Sequence, residues 1–299
     1  MGYGKRRRRL GWFWVLMAIV VSVVGYLAST GRLSQFFGGN QVPLPVEGEA
    51  EFHFIDVGQG DAALIRTSAG HVLIDAGTND SEDALIAYLK AEGIKELVYA
   101  VFTHPHEDHI GGADAVLDYC DVKNVIMPER TSTTGDYTRL MDAIEVEKAH
   151  VIIAEPEAVY TVGGLQMTIL GPIGSEYKDI NNDSIVLRVD FGESSVLYTG
   201  DAEDVSEKEM LSRYALNGKL DCDLLKLGHH GSDSSTTEDF LKAVSPTMAV
   251  ISCGEGNSYG HPKQEILIRL NRYGIAYWRT DLEESIVLIS DGETLSKES

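Results

Sequence analysis

Thr103-His104-Pro105-His106-Glu107-Asp108-His109, continuing as Ile110-Gly111-Gly112, sets three imidazoles and two carboxylates close together directly after an apolar run, Leu97-Val98-Tyr99-Ala100-Val101-Phe102. The run reads as a strand and the polar stretch as the loop leaving it. Neutral histidine gives nitrogen ligands at about 2.0–2.1 Å from zinc, and aspartate gives oxygen. A His-x-His-x-Asp-His loop at a strand end therefore suits two cations side by side. A solvated polar loop is the alternative, but three histidines at this spacing favour the metal.

Working outward, Glu51 to Val57, Ala62 to Thr67 and His71 to Ile74 read as strands, the first two joined by Gly58-Gln59-Gly60-Asp61. A helix is expected from Ser81 to Glu92, with Ser81 as N-cap and Gly93 as its stop. A further helix covers Ala113–Tyr119. A second half repeats the plan: strands at Gln166–Leu170, Ser184–Val189, Ser194–Tyr198, Leu224–Leu227, Met248–Ser252 and Ser285–Ile289, with helices over Val205–Tyr214, Thr237–Val244 and Pro262–Tyr273. Two β-rich halves with helices imply an α/β, four-layer sandwich.

Two later strand ends carry more ligand-type side chains. Thr199-Gly200-Asp201 follows Ser194–Tyr198, and Gly228-His229-His230-Gly231-Ser232 follows Leu224–Leu227. A two-metal centre wants a bridging carboxylate and enough neutral nitrogens. The residues supply them: His104 and His106 on one metal, Asp108 and His109 on the other, Asp201 between, and one of His229 and His230 closing the second. Asp61 either faces this site or caps its own turn. Ser232-Asp233-Ser234-Ser235 reads as substrate contact or as N-cap chemistry for the next helix.

The N-terminus is of another character. Lys5-Arg6-Arg7-Arg8-Arg9 precedes an apolar stretch from Leu10 to Ala28 with Trp12, Trp14 and Tyr26 near its ends. About 20 such residues cross a bilayer, and basic residues stay cytoplasmic. The expected organisation is a cytoplasmic basic segment at 1–9, a membrane anchor at 10–28, a linker at 29–48 and the metal-site domain at 49–294 outside the membrane. Ala28-Ser29-Thr30 offers the competing reading of a cleaved signal peptide and a secreted domain.

The chain of 299 residues carries a net charge of −21; with the six bases of residues 1–32 set aside, 19 bases face 46 acids, a net of −27. That field repels polyanions, so a nucleic-acid substrate would need the metal ions as attracting charge. Cys120, Cys222 and Cys253 are odd in number and far apart, indicating neither a disulfide framework nor a thiolate metal site.

The residues now carry a resemblance. Phe54-Ile55-Asp56-Val57-Gly58-Gln59-Gly60-Asp61, Leu73-Ile74-Asp75-Ala76-Gly77, the 103–109 loop, Asn182-Asp183-Ser184, Leu197-Tyr198-Thr199-Gly200-Asp201, Leu225 to Ser232 and Asn257-Ser258-Tyr259-Gly260-His261-Pro262 resemble the metallo-β-lactamase superfamily. Within it, they are similar to the extracytoplasmic hydrolase domain of the ComEC DNA-uptake proteins and its stand-alone relatives, over about residues 50–292. The resemblance implies an αββα sandwich with two zinc ions, manganese being the other candidate, Asp75 bracing the histidine loop, His230 on metal and His229 on substrate. One departure is plain: many members have a further histidine ligand before the bridging aspartate, where this chain offers Asn181-Asn182-Asp183-Ser184.

The chemistry expected is metal-assisted ester hydrolysis by a bridging hydroxide whose pKa two cations roughly 3.5–4 Å apart lower to about 7. Asp108 would bind metal and orient the hydroxide. His229 or His261 would bind the phosphate or protonate the leaving oxygen, although His261 also reads as a turn residue before a helix that begins at Pro262. Three classes stay open: a phosphodiesterase or nuclease, with single-stranded DNA as one candidate substrate; a zinc hydrolase of small substrates such as a phosphocholine ester, lactone or β-lactam; and a non-catalytic binding component at the membrane. No protein partner is defined.

Overall fold

The computed structural model describes residues 43–298 apart from residue 176. The anchor expected at 10–28 and most of the linker lie outside the described residues. Among those described, no helix is long and apolar enough to cross a membrane.

The chain runs β1 (Ala50–Phe54), β2 (Ala63–Thr67), β3 (Gly70–Ile74), α1 (Glu82–Ala91), β4 (Glu96–Val101), α2 (Glu107–Ile110), α3 (Ala113–Tyr119), β5 (Asp121–Met127), α4 (Gly135–Glu147) and β6 (His150–Ile153). It continues through β7 (Val159–Val162), β8 (Leu165–Gly171), β9 (Val186–Phe191), β10 (Ser194–Tyr198), α5 (Asp204–Tyr214), β11 (Leu224–Lys226), α6 (Glu238–Val244), β12 (Met248–Ile251), α7 (Gln264–Tyr273), β13 (Ala276–Arg279), α8 (Thr280–Glu283), β14 (Ile286–Ser290) and β15 (Leu295–Lys297). Two mixed sheets result, ordered β15-β14-β1-β2-β3-β4-β5-β6 and β13-β12-β11-β10-β9-β8-β7.

Side-chain alternation along the strands divides the core into three layers. Phe52, Phe54, Ile65, Val72 and Ile74 of the first sheet meet Met167, Ile169, Leu187, Val196 and Tyr198 of the second. Their sequence neighbours point the other way: Leu64 and Leu73 pack under Leu85, Leu89 and Val116 of α1 and α3, and Leu197 and Leu225 pack under Met210, Phe240 and Leu270 of α5, α6 and α7. Helices thus flank the two sheets, as the element order implies. The three cysteines are free and buried.

Two expectations need correction, and a third holds in position only. Ser81 is the N-cap residue of α1, as expected, but it also ends a 3₁₀ turn, Asn79–Ser81, and its hydroxyl bonds Thr78 O, so it makes no side-chain cap. The strand expected at Ser285–Ile289 does not belong to the second half; β14 returns to pair antiparallel with β1, covering what would otherwise be an exposed strand edge. β15 then extends that sheet past residue 294.

Helical crossovers make β3-β4-β5-β6 parallel in one sheet and β10-β11-β12-β13 parallel in the other. Asp75 follows β3, the 104–109 loop follows β4, Asp201 follows β10, and His229 and His230 follow β11. These are carboxyl ends of parallel strands, where open α/β sheets place their ligands.

Candidate metal centre

The loop after β4 is fixed from below by Asp75, which is buried and held at φ 57°. Its Oδ1 accepts Thr103 N at 2.7 Å, and its Oδ2 accepts the Thr103 hydroxyl and His109 Nδ1, each at 2.7 Å. With Nδ1 so engaged, His109 turns Nε2 toward Asp201 Oδ1, 3.2 Å away. Gly60 lets the 58–61 loop press on the same turn: a Cβ there would stand 2.5 Å from Asp108 O, which accepts Asp61 N at 3.0 Å.

His229 and His230 both adopt left-handed backbone, at φ 48° and 55°. Such conformations are costly for residues with a Cβ and persist where the surroundings fix them. Here they aim two consecutive imidazoles into one cleft. His230 Nδ1 meets Ser252 O at 3.0 Å, and its Nε2 lies 3.3 Å from Asp108 Oδ2 and 3.6 Å from Asp201 Oδ2. His229 is held through Nδ1 by Glu203 at 3.1 Å and Ser234 at 3.2 Å, leaving Nε2 3.8 Å from Asp201 Oδ2. The serines thus position the histidine pair, while Thr237 is the N-cap of α6.

His104 Nε2 and His106 Nδ1 face each other at 2.9 Å, and Asp201 Oδ2 is 3.9 Å from His104 Nε2. A cleft of about 550 Å³ opens over the cluster, bordered by Gln59, His106, Asp108, Asn181, Tyr259 and His261. His261 stacks on Tyr259 and contacts His229 edge-on, with ring centroids 5.7 and 5.5 Å apart. Every site residue proposed from the sequence is therefore at this cleft or directly beneath it. His150, by contrast, is exposed at the start of β6.

Electrostatics divides the imidazoles. Burial, then the neighbouring His109, holds His104 well below its usual range, and burial lowers His106 as well. For His109 burial is outweighed by Asp201 and Asp75, which hold it well above its usual range. His230 is likewise pushed up to about 10 by Asp201, Asp61 and Asp108 against the effect of burial. Burial, followed by His229 and His230, lowers His261 to about 4, so its ring is neutral.

Lys226, a cation inside an otherwise apolar strand, and Glu203 were not picked out by sequence reasoning. Lys226 Nζ forms a buried ion pair with Asp61 Oδ2. Asp61 Oδ1 lies 3.3 Å from His230 Nδ1, so Asp61 faces the site.

The donor set fits divalent metal. Asp108, His109, Asp201 and His230 each offer a ligand atom, all within 4.8 Å of one another. Among the described residues, His109 Nε2, His230 Nε2 and Asp201 Oδ1 are buried and make no aligned hydrogen bond, although His109 Nε2 and Asp201 Oδ1 face each other at 3.2 Å, as atoms reserved for an ion would. Asp61, Asp75 and His109 form a second such group; there the two aspartates are engaged by Lys226 and Thr103 and brace the ligands.

The comparisons agree with this geometry. The family model described as "Metallo-beta-lactamase superfamily" matches residues 55–255. ComE operon protein 3 of Bacillus subtilis is 33% identical over 256 residues, 80% of this chain and 33% of that protein. Competence protein ComA of Neisseria gonorrhoeae is 33% identical over 241 residues, 80% of this chain and 32% of that protein. The chain thus spans about a third of the length of these relatives. Among solved structures, the metallo-β-lactamase fold protein YhfI from Bacillus subtilis superposes with TM-score 0.54 at 13% identity, over 81% of this chain and 99% of that one. CmlA, a diiron β-hydroxylase from Streptomyces venezuelae, gives TM-score 0.51 at 14% identity, over 82% of this chain and 57% of that one. These two speak for the fold alone, and their different descriptions illustrate why a reaction must be argued from the site. With the family match covering more than half of its length, this chain belongs to the metallo-β-lactamase superfamily.

Proposed function

We propose that the chain is a metal-dependent phosphodiesterase, anchored through residues 10–28 with its catalytic domain outside the cell membrane. The observation that carries the reading is the convergence of His109 Nε2, His230 Nε2 and Asp201 Oδ1, three buried atoms with no aligned hydrogen bond among the described residues, under an open cleft. His104, His106 and Asp201 would hold one cation; Asp108, His109, Asp201 and His230 the other. Bound there, zinc or manganese supplies an activated water and polarises the phosphoryl oxygen.

The chain's own groups do the rest. Asp75 and Ser252 O fix the ring orientations of His109 and His230, which keeps their Nε2 atoms on target. His229, backed by Glu203, presents Nε2 to the cleft, where it would hydrogen-bond the phosphate or protonate the leaving oxygen. Neutral His261 serves as a hydrogen-bonding partner beside it. The similarity to competence proteins supports a nucleic-acid substrate. The net charge of −27 beyond residue 32 favours a second reading, a hydrolase of small esters.

The test is hydrolysis of single-stranded DNA, bis-p-nitrophenyl phosphate and p-nitrophenylphosphorylcholine by the zinc- or manganese-loaded chain, with Asp108→Ala as control. Metal-dependent DNA cleavage lost in the variant supports the nuclease. Turnover of the small diesters alone moves the assignment to a small-molecule phosphodiesterase, and no turnover of any diester refutes the proposal.

A further inference from the structure

The two halves of the centre are unequally provided. One gathers two carboxylates and two imidazoles, from Asp108, His109, Asp201 and His230. The other has His104 Nε2, His106 Nδ1 and a share of Asp201. Protein sites for divalent transition metals commonly use four ligands or keep one position for water. The segment between His109 and Asp201 supplies no further imidazole, since its one histidine, His150, is exposed in β6; His229 Nε2, 3.8 Å from Asp201 Oδ2, is the imidazole assigned to substrate.

A 3₁₀ turn, Ile180–Asp183, occupies that side of the site. It is tied down at several points. Asp179 caps it by accepting Asn181 N at 3.2 Å, and Asn182 Oδ1 accepts Ser206 N at 2.9 Å from α5. At its end, Ser184 Oγ lies 3.2 Å from His104 Nδ1 and accepts Asp201 N at 3.1 Å. The turn is thus bonded to one imidazole of the poorer half and to the residue that carries the shared carboxylate.

Asn181 borders the same cleft as His106 and Asp201 and is 6% exposed. The Glu203 carboxylate accepts a hydrogen bond from its side chain, which engages the amide's donor end. The acceptor end, Oδ1, is buried with no hydrogen-bond partner among the described residues. An unpaired buried acceptor is expensive, and its presence in a native site calls for an explanation.

We propose that Asn181 Oδ1 is the remaining protein ligand of the cation held by His104 and His106. The inference rests on the two-cation reading and adds a consequence for affinity and metal choice. An amide oxygen is neutral and hard, so this half has one carboxylate where its neighbour has two. The chain binds two ions of unequal affinity, and the weaker site, relative to the stronger, favours manganese over zinc.

The test is calorimetric titration of the metal-free full chain with zinc and, separately, manganese, with bound metal counted by elemental analysis. Wild type should take two ions in two resolved steps. Asn181→Ala should weaken the weaker step about tenfold or more and leave the tighter step unchanged. Asn181→Asp, close in shape but anionic, should tighten the weaker step, and it keeps the test decisive if the alanine variant does not fold. Two ions in wild type with both steps unmoved by either substitution would overturn the assignment of Asn181 and leave the two-cation reading intact. No ion, or one, in wild type would overturn both.

Discussion

Asp75 Oδ2 lies 2.7 Å from His109 Nδ1, and the same carboxylate holds Thr103 through its backbone N–H and its hydroxyl. One buried group therefore sets both the strand end from which the histidine loop departs and the ring orientation of a ligand within it. Asp75→Asn keeps the shape and tolerates the left-handed backbone at φ 57°, but it loses the anionic acceptor. Metal affinity at the site containing His109 should fall about 10- to 100-fold, the usual effect of losing a ligand's hydrogen-bond partner. Zinc titration of the variant checks this; unchanged affinity would show that Asp75 only shapes the turn.

Lys226 and Asp61 form an ion pair 3% and 6% exposed between the sheets. Removing one partner of a buried pair costs about 3–5 kcal/mol, and the lower end applies here because Asp61 Oδ1 keeps His230 Nδ1 at 3.3 Å. Lys226→Met should lose about that much in urea unfolding, and adding Asp61→Leu should restore a large part of it. A loss below about 1 kcal/mol would mean that water or another group compensates Asp61.

The histidine loop was legible because its ligands are neighbours in sequence, so spacing alone announces the chemistry. Asp201 and the 229–230 pair were legible from their places just after apolar strands. Lys226 was not: in Leu224-Leu225-Lys226 it looks like an interruption, and its meaning depends on Asp61, far away in the chain. Glu203 is hidden for the same reason, since its partner His229 comes from another loop. Residues 121–162 gave no elements in advance. α4 buries only Leu140 and Ile144 among its described hydrophobic positions, and β6 is wholly intermediate or exposed, so neither shows a strong apolar period. The return of β14 to β1 is a tertiary pairing that no local pattern encodes.

Metal loading should release protons. In the metal-free centre the surrounding carboxylates hold His109 well above its usual range and His230 near 10, so both rings are protonated at pH 7. Binding requires the neutral ring, and the ions should displace about two protons. Affinity then rises with pH through 6–8. Calorimetry in two buffers of different ionisation enthalpy reads the number directly; zero release would mean that the rings are already neutral.

Glu207 gives a pH signature away from the centre. Burial raises its carboxyl to about 7, against hydrogen bonds accepted from the backbone N–H groups of Thr236 and Thr237. The unfolded chain releases this proton near 4.5, so between pH 4.5 and 7 the folded state binds more protons. Its contribution is fully present below 4.5 and is lost as pH rises to 7, by about 3 kcal/mol. Glu207→Gln should flatten that part of the stability curve. Parallel curves for the two proteins would remove Glu207 as the cause.

The most direct measurement is turnover of bis-p-nitrophenyl phosphate followed on one sample as metal-free protein receives zinc or manganese in counted equivalents. Activity absent in the stripped protein, rising to a plateau at two ions per chain and lost in Asp201→Ala, is the expected result. Full turnover by stripped protein, or none with two ions bound, would contradict a two-cation phosphodiesterase.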